Sequence, residues 1–167
     1  TARPLQMEDL LQREEFGAVE VTPGGRWLLV EQRGPYASAA RFDYSQKTAM
    51  FRTRLEVADL RRGGNLRPLF RAEPGVGYEL GPIAPDGVRA VVFRLKADRW
   101  EVGVAALAAR TVRWLDVTGE WQFGAHAVAW LSPTDLAVIA RARSDNPFLL
   151  RAMRPQAPLP RLWAASA

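Results

Sequence analysis

Residues 83–94 read IAPDGVRAVVFR. Pro85-Asp86-Gly87 is a tight-turn signal between two runs of β-favouring residues, and the second run, Val88 to Leu95, is long enough for a strand. Two other stretches have the same organisation: residues 21–32, VTPGGRWLLVEQ, and residues 131–142, LSPTDLAVIARA. Pro23, Pro85 and Pro133 occupy equivalent places, spaced by 62 and 48 residues. The pattern predicts a strand, a proline-containing turn and an apolar strand, three times over.

The flanks extend each copy. Around the first, residues 18–22 alternate in polarity, residues 26–33 and 54–60 read as strands, Arg61 to Asn65 as a hairpin turn, and 67–70 as a short return strand. Around the second, 78–84, 88–95, 100–107 and 111–115 read as four strands. The third begins at His126 with 126–131, continues through 136–143, takes Phe148 to Met153 as its next segment, and ends in a proline-rich stretch reaching Trp163. Four short strands per unit, at a period near about 45 residues, is the signature of β-propeller blades. The predicted class is therefore all-β: antiparallel four-stranded blades, about three of them, in an incomplete ring. A generic β-sandwich is the competing reading, but it does not need a repeated turn at this period.

Unit boundaries follow: blade one over 18–70, blade two over 78–115 and blade three over 126–163, all in one partial propeller of residues 1–167. The longer first interval places an insertion of about 15 residues at 34–51. Ahead of blade one, residues 1–17 form a short helical segment. Leu5, Met7, Leu10 and Leu11 supply one apolar face of a helix over 5–14, and Glu8 and Asp9 sit in its first turns, where the helix dipole favours acids.

Composition narrows the chemistry. The chain has 167 residues, 48% hydrophobic and 25% charged, near the globular average. It has no cysteine, which excludes disulfides, thiolate metal sites and cysteine nucleophiles, and its single histidine, His126, excludes a multi-histidine metal centre. Neither a cofactor nor a metal is expected. No apolar run approaches the roughly 18 residues of a membrane span. Net charge is +5, and all the basic residues except Lys47 and Lys96 are arginines. They are scattered, with no block of five, so the basic balance reads as a solvated surface and nucleic acid is not an expected partner.

At this point the residues carry a resemblance. Ala84-Pro85-Asp86-Gly87 followed by VRAVVF resembles the S-P-D-G-(R/K)-x-(L/I/V) blade signature of Tol-type and dipeptidyl-peptidase propellers, with Thr22 to Arg26 and Ser132 to Asp135 as degraded copies. The opening, with Met7-Glu8-Asp9-Leu10-Leu11 leading straight into blade one, resembles the start of prolyl-oligopeptidase-family serine peptidases, and within them the lasso-peptide isopeptidases. The resemblance implies a propeller that caps a catalytic α/β-hydrolase domain, restricts access to it and contacts the peptide substrate. It also implies that the catalytic serine, aspartate and histidine lie in that other domain, the serine in a G-x-S-x-G elbow. This chain has no G-x-S-x-G. Ser132, His126 and Asp135 fall around one turn, where a base does not fit between nucleophile and orienter. No catalytic residue is therefore assigned.

The insertion is the expected place for substrate contact, because binding residues concentrate on loops held by rigid scaffolds. Tyr36, Arg41, Phe42 and Tyr44 are the candidates, Tyr and Arg being enriched at binding hot spots. The bland alternative is that these aromatics fold back as a small satellite cluster. Glu14 and Glu15 read as a solvated helix end, and the six tryptophans as packing between blades. The expected partners are a peptide substrate, the remaining blades and the hydrolase domain. An open set of blades also exposes two faces, which predicts association with those missing parts or with a second copy. A stand-alone interaction module is the alternative function. No compartment is assigned; bacterial cytoplasm and periplasm both accommodate a cysteine-free chain.

Overall fold

A computed structural model of the chain describes residues 3–122, 125–142 and 145–153. Two four-stranded antiparallel sheets dominate it. The first runs β1 (Glu15–Val21), β2 (Trp27–Arg33), β3 (Thr53–Asp59) and β4 (Arg67–Pro68); the second runs β5 (Gly77–Ile83), β6 (Arg89–Lys96), β7 (Arg99–Ala106) and β8 (Thr111–Trp114). In each, spatial order equals sequence order. The third unit is smaller. Its strands β9 (Thr118–Gly119), β10 (Trp121–Gln122), β11 (Ala125–His126), β12 (Val128–Trp130), β13 (Leu136–Val138) and β14 (Ala140–Arg141) pair as β9 with β14, β10 with β11 and β12 with β13. The class is all-β with propeller-like blades, and among the described residues the sheets do not close into a ring.

The repeated turns are built alike. In unit one the Gly25 N–H donates to Thr22 O (2.9 Å) and the Thr22 N–H to Trp27 O (2.9 Å); in unit two Gly87 donates to Ala84 O (2.9 Å) and Ala84 to Arg89 O (2.9 Å). Proline pre-sets the second turn position in both. The glycine that ends each turn takes a positive φ, Gly25 at +68° and Gly87 at +67°, and in unit one Gly24 before it does so too, at +81°. Gly87 also lies against the first turn: a Cβ there would stand 2.5 Å from Pro23 O. Equivalent turns of neighbouring units therefore touch, at one end of the sheets.

Strand β6 accounts for the unbroken apolar run of residues 90–93. Ala90, Val91, Val92 and Phe93 are all 0% exposed. Ala90 and Val92 pack with Trp27, Leu29, Leu55 and Val57 of the first sheet. Val91 and Phe93 face the other way, into a second cluster with Trp100, Trp121 and residues of the third unit. A strand covered on both faces loses polar alternation.

Both inner strands carry a bulge. In β1 the register slips between Phe16 and Val19, opposite Glu31; in β5 it slips between Leu80 and Ile83, opposite Val91. Glycine sits at each bulge. A Cβ on Gly81 would meet the Phe93 ring at 2.6 Å, and one on Gly17 would collide with the Glu31 carboxylate. Glu31 and Phe93 occupy the same repeat position, each lying over its own bulge glycine.

Three expectations are corrected. The first helix, α1 (Met7–Leu11), is five residues long, capped by Asp9 Oδ2 accepting from the Gln6 N–H (2.9 Å). Its apolar residues Met7, Leu10 and Leu11 are exposed, as is Leu5, because so short a helix presents no continuous face to dock. Phe148–Met153 is a helix, α2, and not a strand. Pro147 suits a helix start, and Leu, Arg, Ala and Met favour continuation; Leu150 is buried in the second cluster. Glu15 begins β1 and Glu14 directly precedes it, both beyond the helix end. The rest of the third unit, residues 154–163 with Trp163, lies outside the described residues.

Candidate functional site

The insertion sits at the end of the sheets opposite the proline turns, between β2 and β3. It folds as two 3-10 turns, Tyr36–Ser38 and Ser45–Arg52. Its base is closed by backbone and side chain together. The Gly34 N–H donates to Arg52 O (3.0 Å). The Arg52 guanidinium donates to Gly34 O (2.6 Å) and to Glu15 on the first strand.

Its far side is pinned to the β6–β7 hairpin. There Ala97 and Asp98 both take positive φ, +47° and +63°, as a two-residue hairpin turn requires. Asp98 Oδ1 accepts from Arg41 Nη1 (2.6 Å) and from the Tyr44 hydroxyl (2.8 Å). Arg41 also pairs with Asp43, and its guanidinium lies 4.9 Å from the Tyr44 ring centroid. The bonds to Asp43 first, and to Asp98, hold its proton more tightly than usual. Asn146 donates to Asp98 O, and its own Oδ1 accepts from the Trp100 N–H (3.3 Å). One hairpin thus gathers the insertion, the second sheet and the C-terminal segment.

The structure divides the four predicted contact residues. Tyr44 is 2% exposed and belongs to the second core cluster, and Arg41 is held between Asp43 and Asp98. Tyr36 and Phe42 are 45% and 52% exposed and touch, with ring centroids 5.3 Å apart. Two of the four build the loop and two face solvent.

Beneath the insertion lies a cleft of about 320 Å³ whose lining includes Glu31, Arg33, Lys47, Met50, Tyr78 and Glu79. Arg33 Nη2 is 3.3 Å from Glu31, and Lys47 Nζ is 3.6 Å from Glu79 and 3.9 Å from the Trp121 ring centroid. Burial pushes the Tyr78 phenol up. At the same end, Lys96, with Arg94 behind it, holds the Glu73 carboxyl below its usual range. Alternating carboxylates and cations of this kind suit backbone amides and peptide termini. Among the described residues no three of His, Cys, Asp and Glu gather to hold a metal. Ser132 Oγ donates to Asp135 (2.5 Å) and accepts from the Thr134 and Asp135 N–H groups, which closes the third turn. The side chain of His126 lies outside the described residues.

Glu31, Arg52 and Asp98 were not singled out from the sequence, and Glu15 was read only as part of a solvated helix end. The partners that give them their roles are remote, Arg52 37 residues from Glu15, Leu80 49 from Glu31 and Arg41 57 from Asp98, so no local spacing marks them; a charged residue inside the apolar run of β2 was the one visible signal, at Glu31. Asp98→Ala removes two bonds to the insertion and leaves Arg41 and the Tyr44 hydroxyl short of a partner. Because Asp98 and Arg41 are about a quarter exposed, the expected loss is about 1 to 2 kcal/mol. Urea unfolding reads it, with faster proteolytic cutting between residues 34 and 52. Asp98→Asn, which tolerates positive φ and can still accept, should lose less.

Comparison with known proteins bears on the fold. The chain resembles two solved structures of the isopeptidase AtxE2, a variant with Astexin3-dC4 bound and the apo protein, at 14% and 15% identity and a TM-score of 0.51 for each. Each likeness covers 81% of this chain and 23% of the other, so this chain spans about a quarter of that protein. No protein-family model and no curated protein matches the chain.

Proposed function

We propose that this chain is the non-catalytic propeller portion of a prolyl-oligopeptidase-like serine peptidase or isopeptidase, and that it gates and contacts a peptide substrate for a catalytic α/β-hydrolase domain outside these residues. One observation carries most of the weight. The second sheet is covered on both faces, but the first is covered on one. On its other face Phe16, Val19 and Val21 stand exposed, opposite Gln32, Val30 and Leu28. That is where a further blade stacks in a propeller. The fold likeness to an isopeptidase supports the same reading.

In it, Tyr36 and Phe42 contact the substrate, while Arg41 and Tyr44 hold the loop that presents them. The cleft under the insertion supplies polar contacts to the peptide backbone.

The first test is the natural reading frame, expected to continue past Ala167 into further blades and a G-x-S-x-G; a stop codon close to Ala167 favours the interaction module instead. The second is enzymatic. In the full-length protein, Tyr36→Ala with Phe42→Ala is expected to raise KM for a lasso-peptide substrate about tenfold, each ring being a hot-spot-type contact. An unchanged KM removes these two residues from the substrate path.

A further inference from the structure

The end of the sheets that carries the proline turns, opposite the insertion, has two grooves of the same construction. In the first sheet Leu29, Val57 and Arg67 form a row across β2, β3 and β4; in the second, Val91, Val104 and Arg113 form the matching row across β6, β7 and β8. The repeat thus places an arginine at the same register position of two outer strands. Each arginine lines a groove toward the next unit, about 330 Å³ at Arg67 and about 580 Å³ at Arg113.

Both arginines are exposed, and among the described residues neither Arg67 nor Arg113 has a hydrogen-bond or ion-pair partner. That sets them apart from Arg41, Arg52, Arg94 and Arg141, each seated on a carboxylate. The acids within reach are engaged. Asp59 accepts from Arg26 and from the Arg61 N–H, and Asp135 from Ser132. In the first groove Arg62 and Arg110 join Arg67 against the single Asp59 and make the site net positive; in the second, Arg89 pairs with Asp86 (3.4 Å), which leaves Arg113 as the cation that faces the groove without a partner among the described residues. The groove floors are apolar: Val57 and Leu107 in the first, Val104, Leu115 and Leu136 in the second.

We propose that these paired grooves bind an acidic, extended peptide segment, with a carboxylate on Arg67 and another on Arg113. Guanidinium groups match carboxylates in a two-pronged geometry. The apolar floors take the peptide's alternate side chains, which a phosphate backbone does not supply. β4 and β8 close their sheets on that side, so an edge lies beside each groove for strand addition. The proposal does not rest on the peptidase reading; it holds equally for an interaction module.

The test is fluorescence anisotropy of the full chain with a labelled ten-residue peptide of alternating Glu and Leu. Arg67→Glu and Arg113→Glu are each expected to weaken binding about fivefold, and the double variant by more than about tenfold. Arg54→Glu, at the opposite end and also exposed, should leave binding and the thermal melt unchanged. A Gln-for-Glu peptide should bind at least about tenfold more weakly than the acidic one. The proposal is overturned if the acidic peptide does not bind, if the double variant binds it as tightly as wild type, if the Gln peptide binds equally well, or if an oligothymidylate binds as tightly through the same two arginines.

Discussion

Glu31→Ala is expected to destabilise the chain by about 3 to 5 kcal/mol, read as a shift in the urea midpoint at unchanged slope. The carboxylate is 4% exposed and serves two sheets at once. Oε1 accepts from the Leu80 N–H (2.7 Å) of the second sheet. Oε2 accepts from the Ala18 N–H (3.2 Å) within the β1 bulge and from Arg33 (3.3 Å). The alanine takes this acceptor from two backbone donors and a guanidinium, and each orphaned buried donor costs about 1 to 3 kcal/mol. Glu31→Gln separates charge from shape. One oxygen still serves Leu80, but the amide NH₂ then faces Ala18 N–H and Arg33, donor against donor, so roughly half of the loss should remain. An alanine variant within about 1 kcal/mol of wild type would mean that water or rearranged strands satisfy both bulges.

The same contact ties the first two units together. The β5 bulge has two groups freed from its own ladder, and each goes to a neighbour: the Leu80 N–H to Glu31 of unit one, and Pro82 O to the Trp130 indole N–H of unit three (2.9 Å). The β5 bulge thus bonds to both neighbouring units. Because Glu31 also lines the cleft under the insertion, a shift of the first sheet against the second changes the shape of the candidate site.

The legible part of this fold is what short-range pattern controls. Pro23 and Pro85 marked their turns because proline fixes the dihedral that each turn uses, and the run from Ala90 to Phe93 marked a strand. Pattern was silent where the deciding partner is remote. The insertion read as an aromatic loop, and nothing within it says that Tyr44 turns inward while Phe42 turns outward. That choice is made by Asp98, more than fifty residues later, with its acceptor already set in a strained two-residue turn. The bulge glycines were equally hidden, since Gly17 and Gly81 gain meaning from the side chains of Glu31 and Phe93 across the ladder. Helix α2 was missed because its six residues follow two strands and look like a third; Pro147 was the overlooked cue.

Trp100→Ala is expected to cost about 3 to 5 kcal/mol and to do so unevenly along the chain. Trp100 is 0% exposed and stands between Phe93 (centroids 5.1 Å, planes 3° apart) and Trp121 (4.9 Å, 10°). Lys47 of the insertion covers the outer face of Trp121. Four groups from the insertion, the second sheet and the third unit are thereby joined in one column. Removing the central ring leaves a void that cannot collapse readily, because β7 is held by ladders on both sides and its Trp100 N–H is held by Asn146. The third unit depends most on that column, since its own strands are two or three residues long and contribute little by themselves. Hydrogen exchange should therefore show amides of residues 118–122 and 125–141 losing protection well before those of β2 and β6, while Trp100→Phe, which keeps a ring between Phe93 and Trp121, should restore most of it. Equal loss of protection in β2 and in β13 would show that the column binds the whole fold together, and that the third unit is not its dependent part.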